Sequence, residues 1–500
     1  MKRIIKNLKI TIVYFFLFLL SSEIYALPLD SVHITGKLSK NFEKGTRLRV
    51  RVMENYAHPW WMAYTKSYDI QIDESGSFAL SFLPDKELFY CMFYLQNKNN
   101  KMLDFGNISG AAPTWLLSSG DDIIMDISHD NMSFRGKGAG RLTSQYLANL
   151  SPIYAKNNLI AVERLVGLKK YREALNLRIS GIEDNLRINL GIIDAYRNEI
   201  NNDSVYQILR YDCIGRAYGG MVKIFQENRF LGYNYDLFKN SFNNLKLRID
   251  DSFVGIAAFS WNYINYLFEK EYTRNLYLDT HGEMNKKFDY AKMMDLILTS
   301  PKGEVRDNLL LTSFMNLLNK KPEVFNLVSR IDNELKTKNA RILFTTWKDN
   351  NGTKKPAYPF VLPDPEGKIH TLSDFKGKIL IIDFWYNGCF GCMNLNTAMT
   401  PIVEKYKNNS KIQFLSINVD KSKAGWIKGL ESGNYTHSNQ VFLSTFGTSA
   451  YDNEMFKFYN YMSLPRLLVI DDKGRTIMSN APDPRWDGGE RLTSLINSLL

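Results

Sequence analysis

The stretch Lys378-Ile-Leu-Ile-Ile-Asp-Phe-Trp-Tyr-Asn-Gly-Cys-Phe-Gly-Cys392 decides the fold of this 500-residue chain. Its apolar first half is typical of a buried β-strand, and the segment that follows Cys392 is compatible with a helix. Two thiols three residues apart at the start of a helix can close a small, reversible disulfide. The helix N-terminus stabilises the thiolate of Cys389, and a thiolate is the attacking species in disulfide exchange.

Strands and helices alternate around this stretch. The sequence predicts strands at 378–386, 412–419, 440–444 and 467–471, and helices near 390–407, 423–431, 453–460 and 489–500. This alternation predicts an α/β fold for residues 346–500. A polar, turn-rich segment at residues 346–356 is predicted to be the linker that precedes it.

The C-terminal segment resembles the thioredoxin superfamily and, within it, the TlpA/ResA-like exported thiol-disulfide oxidoreductases. Asp383 lies six residues before Cys389, as in thioredoxins, and Leu464-Pro465 precedes an apolar strand. The stretch from Phe360 to Lys378 is typical of the TlpA-like and peroxiredoxin-like branches. The resemblance therefore predicts a thioredoxin-like fold for this domain.

The resemblance implies roles for four residues. Cys389, closer to the helix N-terminus and to solvent, would attack a substrate disulfide, and Cys392 would resolve the mixed disulfide. Pro465 would follow a cis peptide bond opposite the cysteine pair, the alternative being an ordinary turn proline. Asp383 would be a buried carboxyl that relays a proton to or from Cys392, the alternative being a hydrogen-bonded core carboxyl. Apart from the resemblance, Arg466, directly after the proline, could favour a thiolate or contact an acidic partner.

The function that the resemblance implies is an exported disulfide reductase. Its partners would be protein clients with disulfides or thiols and an upstream electron donor. Three alternatives stay open: a disulfide oxidase or isomerase, a thiol peroxidase, and a binding or assembly protein whose redox domain is secondary. The peroxidase alternative is disfavoured because the nucleophile of peroxiredoxins lies in a different, Thr-x-x-Cys context.

Residues 1–26 have the features of a secretory signal peptide. Lys2, Arg3, Lys6 and Lys9 precede an apolar stretch at residues 10–20, and Ala26 offers a cleavage point. A membrane anchor is the alternative, although a membrane span needs about 20 apolar residues. We therefore predict a periplasmic location, with membrane association left open.

Two accessory domains are predicted between this segment and the linker. Residues 27–138 show period-two alternation and predict a small antiparallel β-sandwich-like domain, with a β-hairpin at Asp73-Glu-Ser-Gly76. Residues 139–345 carry apolar residues at helical spacing and predict an all-α domain. These regions resemble accessory regions of exported redox proteins, and self-association through them stays open.

Composition excludes several other functions. The formal net charge of +11 is spread along predicted helices, so no nucleic-acid partner is predicted. The six histidines are scattered without a zinc-binding spacing, and no cofactor or metal ion is predicted. Cys91 and Cys213 are interpreted as buried, inert thiols, and a bridge between them is the alternative.

Overall fold

The computed structural model describes residues 29–54, 65–98, 102–107, 114–150, 155–226, 240, 242, 254–275, 289–300, 302–318, 322–448, 452–461 and 463–500. Within these residues, a β-rich part is followed by a helical part and then by an α/β part, which confirms the predicted fold class. The predicted signal peptide lies outside the described residues. The boundaries 27–138, 139–345 and 346–500 stay a prediction.

The N-terminal strands form two facing sheets. They are β1 (Val32–Leu38), β2 (Arg47–Met53), β3 (Thr65–Gln71), β4 (Ser77–Phe82), β5 (Leu88–Gln96), β6 (Met102–Leu103), β7 (Thr114–Ser118), β8 (Asp122–Ile127) and β9 (Met132–Lys137). One sheet has the order β4-β1-β8-β9, and the other has the order β3-β2-β5-β6 with β7 also paired to β5. Buried side chains of both sheets, such as Ile34, Val50 and Trp115, share one core, as in a β-sandwich.

The predicted β-hairpin at Asp73–Gly76 is wrong. β3 pairs with β2 and β4 pairs with β1, so this turn carries the chain from one sheet to the other. The Asp73 carboxylate accepts hydrogen bonds from the backbone N–H groups of Ser75 and Ser77, each at 2.8 Å. Local chemistry therefore makes the turn, whereas distant strands decide the pairing. The sandwich is also not wholly antiparallel, because β1 and β8 are parallel.

The middle of the chain is helical. Its helices are α1 (Ala139–Leu150), α2 (Ala155–Gly167), α3 (Tyr171–Ala195), α4 (Arg197–Ile200), α5 (Asp203–Ile224), α6 (Val254–Ala257), α7 (Trp261–Thr273), α8 (Tyr290–Leu298), α9 (Glu304–Leu318), α10 (Val328–Glu334) and α11 (Lys338–Asn351), with a 3-10 helix at Pro322–Leu327. A buried carboxylate connects this region to the sandwich. Asp212 of α5 accepts hydrogen bonds from Tyr90 of β5 at 2.9 Å and from Ser260 at 2.7 Å. Because a buried acceptor needs its donors, this contact fixes α5 against β5.

Cys91 of β5 and Cys213 of α5 are free and buried. The interpretation of two buried thiols is therefore confirmed, and the alternative of a bridge between them is wrong. Burial raises the pKa of both thiols, so both stay protonated at neutral pH. A protonated, buried thiol is a poor nucleophile, and neither residue competes with Cys389.

The C-terminal part is a three-layer α/β unit. It contains β10 (Lys355–Pro356), β11 (Val361–Pro363), β12 (Ile369–Thr371), a 3-10 helix at Leu372–Phe375, β13 (Ile379–Trp385), α12 (Phe390–Tyr406), β14 (Ile412–Asn418), α13 (Lys423–Glu431), β15 (Gln440–Ser444), α14 (Glu454–Tyr459), β16 (Arg466–Ile470), β17 (Arg475–Met478) and α15 (Glu490–Asn497). The main sheet has the order β10-β17-β16-β13-β14-β15. β13 lies inside it, parallel to β14 and antiparallel to β16, and every residue of β13 is buried. Two hydrophobic clusters cover the two faces of this sheet.

The prediction of an irregular linker at residues 346–356 is wrong, because most of this segment belongs to a helix and a strand. α11 continues to Asn351, because Trp347 is buried in the helical core. The Asn351 amide donates hydrogen bonds to the carbonyls of Trp347 at 3.1 Å and of Phe458, in α14, at 3.5 Å. β10 then pairs with β17 at the edge of the main sheet. The polar composition therefore marks only a short turn between a helix and a strand.

An ion-pair cluster connects the sandwich to the C-terminal unit. The Arg49 guanidinium of β2 pairs with Asp69 of β3 at 2.6 Å and with Asp452 at 3.0 Å. Lys421, which follows β14, lies 3.9 Å from the same Asp69 carboxylate. The segment that follows β14 and the segment that precedes α14 thus contact the accessory sandwich.

Candidate functional site

The two cysteines of the opening stretch lie at the N-terminus of α12. Cys389 and Cys392 form a disulfide, with Cα atoms 5.2 Å apart. Cys389 is the N-cap residue, and its sulfur accepts the backbone N–H of Cys392 at 3.1 Å. After reduction, this N–H and the helix dipole would favour a thiolate at Cys389.

The two cysteines are almost equally buried. The exposed fraction is 4% for Cys389 and 3% for Cys392, so the expected difference in exposure is not observed. The neighbouring Phe390, in contrast, is 72% exposed. The side chain next to Cys389 therefore offers an exposed apolar surface beside the disulfide.

The loop between β13 and α12 is held from two sides. The Asp420 carboxylate accepts the backbone N–H of Asn387 at 2.9 Å, and the Tyr435 hydroxyl accepts that of Gly388 at 2.8 Å. The Tyr435 ring also stacks on Trp385, with ring centroids 4.7 Å apart and planes 4° apart. Gly388 has a φ of 95°, which is unfavourable for other residues, so a glycine suits this loop. These contacts fix the approach of the chain to Cys389.

Trp385 in turn depends on a close contact with α13. A Cβ atom added at Gly429 would lie 2.5 Å from Cζ3 and 2.8 Å from Cη2 of Trp385. Because both groups are buried, such a Cβ atom would displace either the Trp385 indole or α13.

We expect Gly429→Ala to destabilise the C-terminal unit by about 1–3 kcal/mol, the usual effect of overpacking. Hydrogen–deuterium exchange of the β13 amides measures this change in local unfolding free energy. Gly191→Ala in α3 is the matched control, since nothing lies within 4 Å of the added Cβ and alanine favours a helix. Equal exchange of β13 in both variants would contradict the close contact at Trp385.

Asp383 is buried in β13 on the face that α12 covers. Side chains of a strand alternate between its two faces, so Asp383 lies on the same face as Ile381 and Trp385. Ile381 packs against apolar side chains of α12, and Trp385 belongs to the same hydrophobic cluster as the two cysteines. Cys392 is near the same end of the strand, with its sulfur 4.0 Å from the carbonyl oxygen of Phe384. The structure thus brings Asp383 beneath the helix that carries the cysteine pair.

The Asp383 carboxyl has two polar partners. Ser416 donates its hydroxyl to Oδ2 at 3.0 Å, and Gln440 donates its amide to Oδ1 at 3.0 Å. The Trp385 indole N–H donates in turn to the Ser416 hydroxyl at 2.8 Å. Burial raises the pKa of Asp383 to about 7, and the hydrogen bonds from Ser416 and Gln440 oppose that rise. At neutral pH this carboxyl can therefore exchange a proton.

Pro465 faces the dipeptide between the two cysteines. The Leu464–Pro465 peptide bond is cis. A Cβ atom added at Gly391 would lie 3.2 Å from Cδ of Pro465 and 3.4 Å from Nη1 of Arg485. Gly391 is therefore enclosed between these two side chains, and Pro465 lies close to the cysteine pair.

Five site residues were not found by sequence reasoning. They are Ser416, Tyr435, Gln440, Asp483 and Arg485, which lie on four separate segments of the C-terminal unit. No motif marks any of them, because each reaches the site through tertiary packing. Arg466, which sequence reasoning did single out, directs its guanidinium to Asn480 at 3.1 Å and Ser463 at 2.8 Å.

Two other properties concern the described residues as a whole. Within the described ranges, no cluster of three or more His, Cys, Asp or Glu side chains could hold a metal ion. In the same part of the chain, no helix has both the length and the apolar character that a membrane crossing requires.

Comparison with known proteins places residues 353–477 in the AhpC/TSA family model. A relative named thiol-disulfide oxidoreductase ResA, from Bacillus thuringiensis, is 29% identical over 123 residues, which cover 25% of this chain and 66% of the relative. ResA of Bacillus subtilis is 28% identical over 118 residues, 24% of this chain and 61% of the relative. The chain thus spans just under two thirds of the length of these curated relatives.

A solved structure of a candidate thiol-disulfide oxidoreductase from Bacteroides vulgatus is 28% identical. It covers 30% of this chain and 96% of its own, with a TM-score of 0.26. The family match falls on the C-terminal unit. That unit is a thioredoxin-superfamily domain, as its residues predicted.

Proposed function

We propose that this chain, with its C-terminal thioredoxin-like domain, is an exported thiol-disulfide oxidoreductase that reduces disulfides of protein clients. The observation that carries the proposal is the Cys389–Cys392 disulfide at the N-terminus of α12, next to Pro465. The buried Asp383 on the same face supplies a group that can exchange a proton near neutral pH. The names of the ResA relatives support the same class of reaction.

The reaction begins with the reduced pair. The Cys389 thiolate attacks one sulfur of a client disulfide, the client S–S bond breaks, and a mixed disulfide forms while the other client sulfur leaves as a thiolate and takes a proton. Cys392 then loses its proton and attacks the Cys389 sulfur. The Cys389–Cys392 disulfide forms and the second client thiol is released. Two electrons pass from the enzyme to the client. Of the two protons that the client gains, one balances the proton lost by Cys392 and the other comes from solvent, because Cys389 starts as a thiolate.

Asp383 acts in the second step as the acceptor of the Cys392 proton. A base near the reaction pH removes a proton most effectively, and burial brings the pKa of Asp383 to about 7. The hydrogen bonds from Ser416 and Gln440 keep the carboxyl in one orientation. An upstream dithiol donor completes the cycle by returning two electrons and two protons to the disulfide.

The alternatives use the same two sulfur atoms. An oxidase would run the exchange in the opposite direction, and an isomerase would release the client before Cys392 reacts. A thiol peroxidase is less consistent with this site, since Tyr386 takes the place of the threonine of a Thr-x-x-Cys context. A binding or assembly function would need no turnover at the cysteine pair.

We expect the Cys389–Cys392 pair to equilibrate at a low reduction potential. A reductase must lie below its client disulfides, and thioredoxin has a potential of about −270 mV whereas the strong oxidant DsbA has about −120 mV. Equilibration with glutathione or dithiothreitol buffers, followed by alkylation and mass spectrometry of the Cys389 peptide, measures the potential. A value close to that of DsbA would contradict the reductase and favour the oxidase. The peptides of Cys91 and Cys213 provide internal controls, because both thiols are buried and free.

Export is proposed from the charged and apolar pattern of residues 1–26. Expression of the full chain in a bacterium with a periplasm, followed by fractionation and N-terminal sequencing, tests it. We expect a periplasmic product that begins near residue 27. An uncleaved cytoplasmic product would contradict export without affecting the redox proposal.

A further inference from the structure

We propose that Arg485 is a positioning residue for the redox reaction: its guanidinium, held by Asp483, stabilises the thiolate of Cys389 after the disulfide opens. This inference rests on the proposed function and adds to it a charged group that lies 94 residues after Gly391 in the chain. Arg485 lies in the segment between β17 and α15, and no sequence motif connects it with the cysteines.

The guanidinium lies against the backbone that joins the two cysteines. Nη1 of Arg485 donates a hydrogen bond to the carbonyl oxygen of Gly391 at 3.0 Å. The same nitrogen is 3.4 Å from the position that a Cβ atom of Gly391 would take. Gly391 directly precedes Cys392 in the first turn of α12. The positive charge is therefore one hydrogen bond from the backbone between the two cysteines.

Asp483 keeps this guanidinium in place. Nε of Arg485 donates to both carboxylate oxygens of Asp483, at 2.9 and 3.0 Å, and Nη2 donates to Oδ2 at 2.5 Å. The carboxylate also accepts the backbone N–H of Arg485 at 3.0 Å. A planar guanidinium that is bound on two edges has little freedom to leave. Arg485 can therefore stay beside the loop in both the oxidised and the reduced state.

Other polar groups also surround the cysteine pair, from β13, from the segments after β14 and α13, from β16 and from the segment before α15: Asp383, Asp420, Tyr435, Arg466, Asp483 and Arg485. The pKa of Asp383 is about 7, so this carboxyl is only partly charged at neutral pH. The Asp420 carboxylate is engaged by the N–H of Asn387 and the amide of Asn418. The Arg466 guanidinium donates to the side chains of Asn480 and Ser463. Arg485, in contrast, donates to the backbone carbonyl of Gly391, between the two cysteines.

The sign of the effect follows from the two charges. Removal of the Arg485 charge leaves the Asp483 carboxylate near the cysteine pair without its counter-charge, which disfavours a thiolate at Cys389. Removal of the Asp483 charge leaves the Arg485 charge uncompensated, which favours the thiolate. The pair is about a quarter exposed, so solvent weakens both effects without changing their signs. Loss of a purely structural ion pair would instead change both variants in the same direction.

The test measures the reactivity of Cys389 in the chemically reduced, full-length chain with the Cys392→Ala change as the common background. The rate of alkylation by iodoacetamide is followed from pH 5 to pH 9 by mass spectrometry of the Cys389 peptide. At pH 6 we expect about 3- to 10-fold slower alkylation for Arg485→Gln, as for a thiol that titrates up to one pH unit higher. Asp483→Asn is expected to react faster, by about 2- to 5-fold, and Arg485→Lys to stay close to the background.

Arg491→Gln is the matched control. It removes the same unit charge and breaks a comparable ion pair with Asp487, at the start of α15. We expect less than a twofold change in its alkylation rate. Circular dichroism and thermal unfolding verify that each variant is folded, and Arg485→Lys keeps the test informative if Arg485→Gln unfolds.

Slower alkylation of both Arg485→Gln and Asp483→Asn, or an unchanged rate in both, would overturn the inference. The measurement needs no client, so its outcome is distinct from that of the proposed function. A chain that fails to reduce clients but shows opposite shifts in these two variants would retain the role of Arg485 at the thiolate. A chain that reduces clients but shows no shift would lose it.

Discussion

Replacement of Cys389 with serine is expected to lower the rate of protein disulfide reduction by about three orders of magnitude or more. A serine hydroxyl is protonated at neutral pH and does not attack a disulfide, whereas a cysteine at a helix N-cap is favoured as a thiolate. Reduction of insulin by dithiothreitol, with and without the protein, measures the loss. Equal activity of Cys389→Ser and the unchanged chain would contradict the proposed function.

The Cys392→Ser variant should behave differently. It keeps the attacking thiol but loses the thiol that resolves the mixed disulfide, so clients should accumulate in covalent complexes that reducing agents release. Capture from a periplasmic extract followed by nonreducing electrophoresis detects them. If only non-covalent partners were captured, a binding or assembly function would be favoured instead.

Cys213→Ala provides the matched control for both cysteine variants. It also removes one thiol, but this thiol is free, buried in α5 and protonated because burial raises its pKa. We expect insulin reduction within about twofold of the unchanged chain. A large loss in this variant would point to a role for Cys213 that the structure does not indicate.

Asp383→Asn is expected to slow the reaction but to remove a loss of stability at neutral pH. The rate of mixed-disulfide resolution should fall by about 100-fold at pH 7, because an amide cannot accept the proton of Cys392. Stopped-flow reduction of a model disulfide, with the pH varied from 5 to 9, separates this step from the first attack. The increase in rate through the pKa of Asp383, about 7, should also disappear.

The second effect is on stability, and its sign follows from the raised pKa. The ordinary value of an Asp carboxyl is 3.8, and burial raises the pKa of Asp383 to about 7. Its protonated form is thus favoured in the folded state, and this contribution is complete below about pH 4 and lost as the pH rises through 7. A difference of about three pKa units corresponds to roughly 4 kcal/mol. Asp383→Asn should therefore remove the fall in unfolding free energy between about pH 4 and about pH 7.

The combination of the two measurements distinguishes a proton relay from a core carboxyl without a catalytic role. Both roles of Asp383 predict that the stability of the Asp383→Asn variant depends less on pH. Only the proton relay also predicts slower resolution of the mixed disulfide. Asp471→Asn, at the turn between β16 and β17, is the control. Although burial acts to raise it, the pKa of Asp471 is lowered through hydrogen bonds from Arg475, so its loss should change stability with the opposite pH dependence and leave the rate unchanged. An unchanged rate in Asp383→Asn would contradict the relay.

Much of the C-terminal domain was predictable because its signals are local. The buried run of β13, the cysteine spacing and the helix after it are all readable from consecutive residues. The predicted strands at 412–419 and 440–444 agree with β14 and β15 to within one residue. β17 and α11 were missed, because a strand of four residues and a polar-looking helix have weak periodic patterns.

The sandwich shows the limit of the same reasoning. Alternation correctly predicted strands, and the residues from Asp73 to Gly76 form the tight turn that their composition favours. The partner of each strand was not encoded in that turn, because β4 gains its burial by pairing with β1 in the other sheet. Local sequence thus predicts a strand, whereas the choice of neighbour depends on residues far along the chain.

By itself, the sequence determined the redox pair, the strand and helix that hold it and the presence of Asp383 and Pro465, since each depends on neighbours in the chain. Only the tertiary structure decided what surrounds the pair. Ser416 and Gln440 reach Asp383 from β14 and β15, and Arg485 reaches Gly391 across 94 residues. These groups act through distance and burial, and both arise only when separate segments pack together, which no run of consecutive residues can record.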